Sequence, residues 1–209
     1  MPRLHHFKNP DKNFQESNFK TSSRPHTPSP KKRDYQRKAQ RKEDNHSRCT
    51  YIHPQTGKRC KNLLGMYPQY CELHTMMVNN VFIAKSNIEV AGNGLFAGPY
   101  GFKKGDVIGK YSFPWNEVKL GSLYKRCKDD SCWSYVFCDE GDTDDTQCWD
   151  GLDIRSTLMR NMNDAHGSKF KNNAYFDVIK GQVYAIASRN IKPMKEILIS
   201  YGPSYWSDK

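Results

Sequence analysis

The first 48 residues contain no valine, isoleucine or tryptophan. They carry 13 Lys and Arg against 5 Asp and Glu, which accounts for most of the net charge of +11 on this chain of 209 residues. A segment with so little apolar surface cannot offset the conformational entropy that folding costs. We therefore predict a disordered basic tail over residues 1–47.

Two kinds of apolar segment are also missing from the chain. The opening residues have no apolar stretch of the type found in secretory signals, and no apolar run approaches the roughly 20 residues that span a bilayer. We expect no membrane partner.

The seven cysteines are an odd number in a chain that we expect to be intracellular, so they are predicted to be reduced thiols and metal ligands rather than disulfides.

The basic residues of the tail are grouped. Lys31-Lys32-Arg33 is followed by Arg37-Lys38 and Arg41-Lys42. Such a run is typical of nuclear import signals and of nucleic-acid contacts, both of which act through charge. We favour import and a nuclear location, and the alternative is a solvated tail that only keeps the protein soluble.

Four soft metal ligands follow the tail in a regular order, within a predicted module over residues 48–78. They are Cys49, Cys60, Cys71 and His74. Three thiolates and one imidazole form the closed tetrahedral set of structural zinc. So short a segment cannot build a stable core, so metal binding would supply its folding energy. Basic residues inside it make a DNA or nucleosome contact possible, and a protein contact is nearly as favoured.

Residues 79–209 are predicted to form a third, mainly β domain. Short β-rich runs at 81–84, 95–97 and 107–111 surround Gly92-Asn93-Gly94, where two glycines permit positive φ and close approach of a ligand. A tight hairpin turn is the default interpretation of this G-x-G. A dinucleotide fold is excluded because no helix and acidic residue follow at the required spacing.

The middle of this domain carries the remaining cysteines. Cys127, Cys132, Cys138 and Cys148 match no familiar metal-ligand spacing, so free thiols are predicted. Residues 133–137 are predicted to form a strand that carries Tyr135. The loop DEGDTDDTQ is strongly acidic and is suited to attract a basic peptide by long-range steering, or is an ordinary solvated connection.

Six short motifs occur in one order along the domain: AGNGLFA, GDVIGKY, SYVF, RNMND, NNA and EILISYG. In this order they resemble the SET domain of protein lysine methyltransferases, from about residue 80 to the C-terminus. The resemblance implies several short β-sheets around a threaded C-terminal segment, a pseudoknot that is a rare exception to the rule against threading. It also implies S-adenosylmethionine as cofactor and a lysine-bearing basic protein, such as a histone tail, as substrate.

The resemblance assigns roles position by position. The cofactor turn corresponds to Gly92, Asn93, Gly94, Leu95 and Phe96, and further cofactor contacts to Arg160, Asn163 and Asp164. Asn172-Asn173 takes the place of the family's Pro-Asn pair, and Glu196 is the Glu before the last strand. Tyr201 corresponds to the catalytic tyrosine and Tyr135 to the second tyrosine of the lysine channel. Tyr205 and Trp206 are expected to cover the site as a lid, with Trp206 contacting the cofactor.

Two positions depart from the family pattern. Asp164 stands where the family usually has His, and Ser200 replaces the acidic residue that commonly precedes the catalytic tyrosine. The pattern around 159–164 also resembles the PR-domain branch, in which activity is not universal. Two alternatives to a protein lysine methyltransferase therefore stay open: a non-catalytic chromatin adaptor with the same fold, and a zinc-dependent nucleic-acid-binding protein.

Overall fold

The computed structural model describes residues 4–5, 48–89, 91–127, 133, 135–139, 141–153 and 156–206. The fold is mainly β, as predicted, with nine strands and three short helices among these residues. None of the described helices has the length and apolar character needed to cross a membrane. The strands form three separate antiparallel sheets.

The first sheet has four strands, in the order β1-β6-β7-β5. Its members are β1 (Leu4–His5), β5 (Glu117–Lys119), β6 (Val136–Cys138) and β7 (Gln147–Asp150). Strand β1 is formed by two residues of the predicted tail, and the rest of residues 1–47 lies outside the described chain. Helix α2 (Leu120–Arg126) follows β5 directly and buries Leu120 and Leu123 against this sheet.

The other two sheets carry the candidate site. A hairpin pairs β2 (Val81–Lys85) with β3 (Asn93–Ala97), and a three-stranded sheet has the order β4-β9-β8. Its strands are β4 (Val107–Lys110), β8 (Ala174–Ile179) and β9 (Gln182–Ala187). Alternate residues of these strands point into one core with members from every sheet, such as Leu95, Phe137 and Val183, each with no exposed surface.

The segment 194–199 threads between three other parts of the chain. Its backbone bonds β3 through the Ile197 N–H, which donates to the Leu95 carbonyl at 2.7 Å. On its other side it makes parallel bridges from Leu198 to Asn163 and from Ile199 to Ala174. A terminal segment enclosed in this way is the threaded arrangement that the family resemblance predicts.

Helix α1 (Glu72–Asn79) connects the metal-ligand segment to β2 and crosses the predicted domain boundary after residue 78. Asn80 ends the helix at a φ of 54°. The next residue, Val81, begins β2. A short 3-10 helix (Leu158–Asn161) precedes β8, and helix α3 (Pro203–Trp206) is the last described element of the chain.

Two predictions for the middle of the chain are wrong. Cys138 and Cys148 are not free thiols: they lie directly opposite each other on β6 and β7 and form a disulfide. Cys127 is disulfide-bonded as well, and Cys132 lies outside the described residues. Tyr135 does not belong to a strand, because β6 begins only at Val136 and Tyr135 adopts a turn conformation with a φ of 68°.

Candidate active site and metal centre

The glycine turn lies against two polar side chains from distant parts of the chain. A Cβ atom added to Gly94 would lie 2.2 Å from Oε1 of Glu196 and 3.2 Å from Nδ2 of Asn163. The amide of Asn163 donates to the Asn93 carbonyl at 2.9 Å and to Oε1 of Glu196 at 3.2 Å. Only glycine leaves room for this approach, so the turn, Asn163 and Glu196 form one constellation.

Glu196 ties the loop before the turn into the same constellation. Its carboxylate accepts the Ser86 hydroxyl at 2.6 Å and the Asn87 N–H at 2.7 Å, and the side chain is buried. The Ser86 N–H in turn donates to the Gly92 carbonyl. A buried carboxylate is stable when its oxygens accept several hydrogen bonds, as here.

The five residues of the predicted cofactor turn play different parts in the structure. Gly92 has a φ of 67° and, like Asn93, is exposed. The side chain of Leu95 belongs to the core, and Phe96 is buried with its ring stacked 5.4 Å from Phe82. The surface part of the turn is therefore formed by its first two residues.

The carboxylate of Asp164 accepts four hydrogen bonds. One carboxylate oxygen accepts the Tyr201 N–H at 2.7 Å and the Trp206 indole N–H at 3.0 Å. The other accepts the His166 N–H and the Asn172 amide, both at 3.0 Å. The carboxylate thus holds the backbone of the predicted catalytic tyrosine, the indole of Trp206 and the loop over residues 165–172.

Tyr201 is buried, and its hydroxyl donates to the Met162 carbonyl at 2.8 Å. Burial raises the pKa of this phenol well above its usual value, and the neighbouring Tyr205 and Tyr135 raise it further. Burial likewise raises the pKa of Tyr205 to about 12. The rings of Tyr201 and Tyr205 meet edge to face at 4.9 Å. Both residues are therefore uncharged phenols at neutral pH.

Tyr135 packs against the core cluster that contains Tyr201 and Tyr205, and hydrogen bonds to its backbone carbonyl hold it in place. Its carbonyl accepts hydrogen bonds from the Tyr111 hydroxyl and the Gly151 N–H. The guanidinium of Arg160 lies 4.2 Å from the centre of the Tyr135 ring and donates to the Gly151 carbonyl at 2.6 Å. In this structure Arg160 therefore positions Tyr135 through a cation–π contact.

An open cleft of about 710 Å³ adjoins Asp164. Trp206 lines it and stacks on the His166 ring at a centroid distance of 4.3 Å. Phe170 and Asn172 contribute a further aromatic ring and an amide to its wall. The cleft thus combines flat apolar surfaces with hydrogen-bonding groups.

The structure brings the four predicted metal ligands together. The ligand atoms of Cys49, Cys60, Cys71 and His74 all lie within 4.8 Å of one another, and all four residues are buried. Nδ1 of His74 is 3.4 Å from the Cys49 sulfur and 3.3 Å from the Cys71 sulfur. A tetrahedral zinc centre requires nitrogen-to-sulfur separations of about 3.5 Å. This donor set fits a metal ion.

Two further features suit His74 to metal binding. Burial lowers the pKa of its imidazole, and the nearby His53 lowers it further, so the neutral ligand form is favoured. The ring stacks on Tyr51 at a centroid distance of 3.9 Å, which fixes its orientation.

The sequence analysis did not single out Ser86 or Asn87, and it matched Glu196, Asn172 and Asn173 to family positions without predicting their contacts. Ser86, Asn87 and the carboxylate of Glu196 anchor the turn, and Asn172 anchors Asp164. Asn173 brackets the threaded segment, since its amide donates to the Glu196 carbonyl and accepts the Leu198 N–H, each at 2.9 Å. Adjacent asparagines at 172 and 173 were the available signal, because paired amides often cap irregular backbone.

The model of the SET domain matches residues 92–202, which is more than half of the chain. The chain therefore belongs to the SET-domain family. None of the curated proteins matches it. Among solved structures, it resembles the methyltransferase domain of human PR domain-containing protein 2, with 18% identity and a TM-score of 0.46, over 61% of this chain and 82% of that one. It also resembles CpSET8 from Cryptosporidium, with 20% identity and a TM-score of 0.44, over 58% of this chain and 57% of that one.

Proposed function

We propose that this protein is an S-adenosylmethionine-dependent protein lysine N-methyltransferase. One observation supports the proposal: the adjacent residues 163 and 164 connect the glycine turn to Tyr201, although the three parts are far apart in sequence. Asn163 contacts the turn directly, and the next residue, Asp164, holds the Tyr201 backbone. Family membership makes methyl transfer the chemistry to test at this constellation.

The cofactor, when bound, supplies an electrophilic methyl group on a sulfonium. A neutral lysine amine would take this methyl group as the sulfur–carbon bond breaks, S-adenosylhomocysteine would leave, and the methylated amine would lose one proton to solvent. The protein must therefore align the amine and favour its neutral form.

Tyr111, Tyr135 and Tyr201 are suited to align the amine and to favour its neutral form. Burial raises the phenol pKa of Tyr201 and Tyr111 because charge is disfavoured there. The same desolvation would lower the pKa of a lysine amine that entered beside these phenols. Tyr201 and Tyr135 would line the channel as the catalytic residues, and the Tyr201 hydroxyl would orient the amine.

The remaining residues would hold the cofactor. Gly92 and Asn93 form the exposed part of the turn, and Asn163 fixes that turn through its hydrogen bond to the Asn93 carbonyl. The cleft lined by Asp164 and Trp206 would take the flat adenine, because it offers aromatic rings and an amide group. Arg160 would act through Tyr135.

The four-ligand cluster would hold structural zinc. A basic protein of chromatin, such as a histone tail, is the proposed substrate, and the nucleus the proposed location. The acidic loop after β6 supports this substrate, with Asp142, Asp144 and Asp145 all exposed. DNA or nucleosome contact would fall to Lys58, Lys61 and the tail. The Arg59 guanidinium instead bonds the Cys49 and Arg48 carbonyls.

Transfer of a labelled methyl group to core histones and nucleosomes tests the proposal. Wild-type protein should label a histone, and Tyr201→Phe should lose at least about 100-fold of that rate, since positioning supplies much of the rate enhancement. Tyr175→Phe is the matched control because this tyrosine is exposed on β8. Cofactor binding without transfer to any histone or other nuclear protein would instead identify a non-catalytic adaptor. Nucleosome binding that needs the metal, with no cofactor binding, would identify a zinc-dependent nucleic-acid-binding protein.

A further inference from the structure

The segment that carries the metal ligands packs into the core of the SET domain. Tyr67 lies between the second and third ligands and is only 5% exposed, in the same core cluster as Val81, Ile83 and Leu95. Its hydroxyl accepts the Ile83 N–H at 3.1 Å. The hydrogen bond falls on β2, the strand paired with the cofactor turn's own strand.

The preceding residue, Met66, reaches the turn itself. Its half-buried side chain packs against the main core, and its sulfur is 4.0 Å from Nδ2, the side-chain amide nitrogen of Asn93. The carbonyl of Asn93 accepts the hydrogen bond from Asn163. Met66 and Asn163 therefore contact Asn93 through different groups.

A second connection runs through helix α1. Cys71 is the residue that caps its start, and His74 lies in its first turn. At the other end, the Asn80 side chain donates to the Gly101 carbonyl and accepts the Tyr100 N–H, so the exit into β2 is fixed. A metal ion held by Cys71 and His74 would thus lie at the start of this helix, and β2 begins directly after its end.

We propose that the metal-binding segment forms a wall of the cofactor site, with Met66 and Tyr67 as positioning residues for the turn at 92–94. This inference rests on the proposed function. Its consequence is that metal binding and cofactor binding are thermodynamically coupled. Such coupling is reciprocal: the metal tightens cofactor binding by the same factor as the cofactor tightens metal binding.

The test uses the full-length protein and S-adenosylhomocysteine, the product of transfer, as probe. Calorimetry of zinc-loaded protein should give a Kd about 5-fold or more higher for Met66→Ala and for Tyr67→Phe than for wild type. Ile52→Ala is the control, because Ile52 is 61% exposed in the same segment. In a chelator competition, the probe should tighten zinc binding by an equal factor in wild type and by less in Met66→Ala.

Hydrogen exchange over residues 86–97 separates the two ways of failing. With zinc bound, both variants should exchange faster there than wild type, whether or not the probe binds. If wild type does not bind the probe at all, the proposed function fails while the exchange result still decides on positioning. Equal probe affinities together with unchanged exchange in both variants would overturn the inference.

Discussion

Oδ2 of Asp164 accepts a hydrogen bond from the backbone N–H of Tyr201 at 2.7 Å and a second from the Trp206 indole at 3.0 Å. The position at which this chain departs from its family's usual His therefore holds the predicted catalytic tyrosine and the predicted lid together. A single substitution, Asp164→Asn, tests this role.

Asp164→Asn leaves one acceptor oxygen where four donors converge. At least one donor pair would then face an NH₂ group. We expect the free energy of unfolding to fall by about 2–3 kcal/mol, the usual cost of losing hydrogen bonds to a buried charged group. Chemical denaturation measures the change. Asp177→Asn, on the exposed side of β8, should change it by less than about 0.5 kcal/mol, and equal stability of both variants would contradict the assignment.

Gly94→Ala should disrupt the turn. The new methyl group would lie 2.2 Å from Oε1 of Glu196. Overpacking of this kind costs about 1–3 kcal/mol and should displace the Glu196 carboxylate from Ser86. Thermal denaturation and cofactor titration of the variant measure both effects. The double variant Gly94→Ala/Glu196→Ala removes the clash, so it should be destabilised by less than the sum of the two single changes; simple additivity would count against the contact.

The Cys138–Cys148 disulfide joins two neighbouring strands across a short acidic loop. Replacing both residues with Ser should lower the free energy of unfolding by about 2–4 kcal/mol. Mass spectrometry of unreduced digests should show the two peptides linked. Alkylation of both thiols in the native protein before any reductant is added would show that the bond does not form in solution.

The buried phenols set an alkaline limit on stability. The pKa of Tyr205 is about 12 in the folded protein, above the value of about 10 for a free tyrosine. A raised folded-state pKa means that this stabilisation is complete below about pH 10 and declines as the pH rises toward 12. The thermal denaturation midpoint should therefore decrease as the pH is raised from 10 to 12. In Tyr205→Phe this decrease should be smaller. An unchanged pH dependence in the variant would contradict the burial of this phenol.

The sequence was sufficient for features that depend on local pattern or on motif order. The four metal ligands were predicted because soft ligands in a short segment have few other uses. The threaded segment 194–199 was indicated only by the order of the six motifs. Neither periodicity nor propensity specifies a parallel bridge such as that from Asn163 to Leu198.

Other features depended on contacts that no spacing reveals. The pairing of Cys138 with Cys148 follows from strand register, since the two residues face each other only once β6 and β7 are aligned. Tyr135 was assigned to a strand because its neighbours are β-rich, but its carbonyl is taken by Tyr111 and Gly151 in a turn with positive φ. The role of Glu196 requires Ser86, 110 residues earlier in the chain, to lie beside it.

Titration of S-adenosylmethionine into the protein by calorimetry tests most directly whether the turn and Asn163 form one cofactor site. Wild type should bind one equivalent, and Asn163→Ala should bind at least about 10-fold more weakly, because it leaves the Asn93 carbonyl and Glu196 without their shared donor. Tyr201→Phe should bind almost as tightly as wild type, since its hydroxyl acts on the lysine. Absence of binding to wild type, or equal affinity for wild type and Asn163→Ala, would contradict the account.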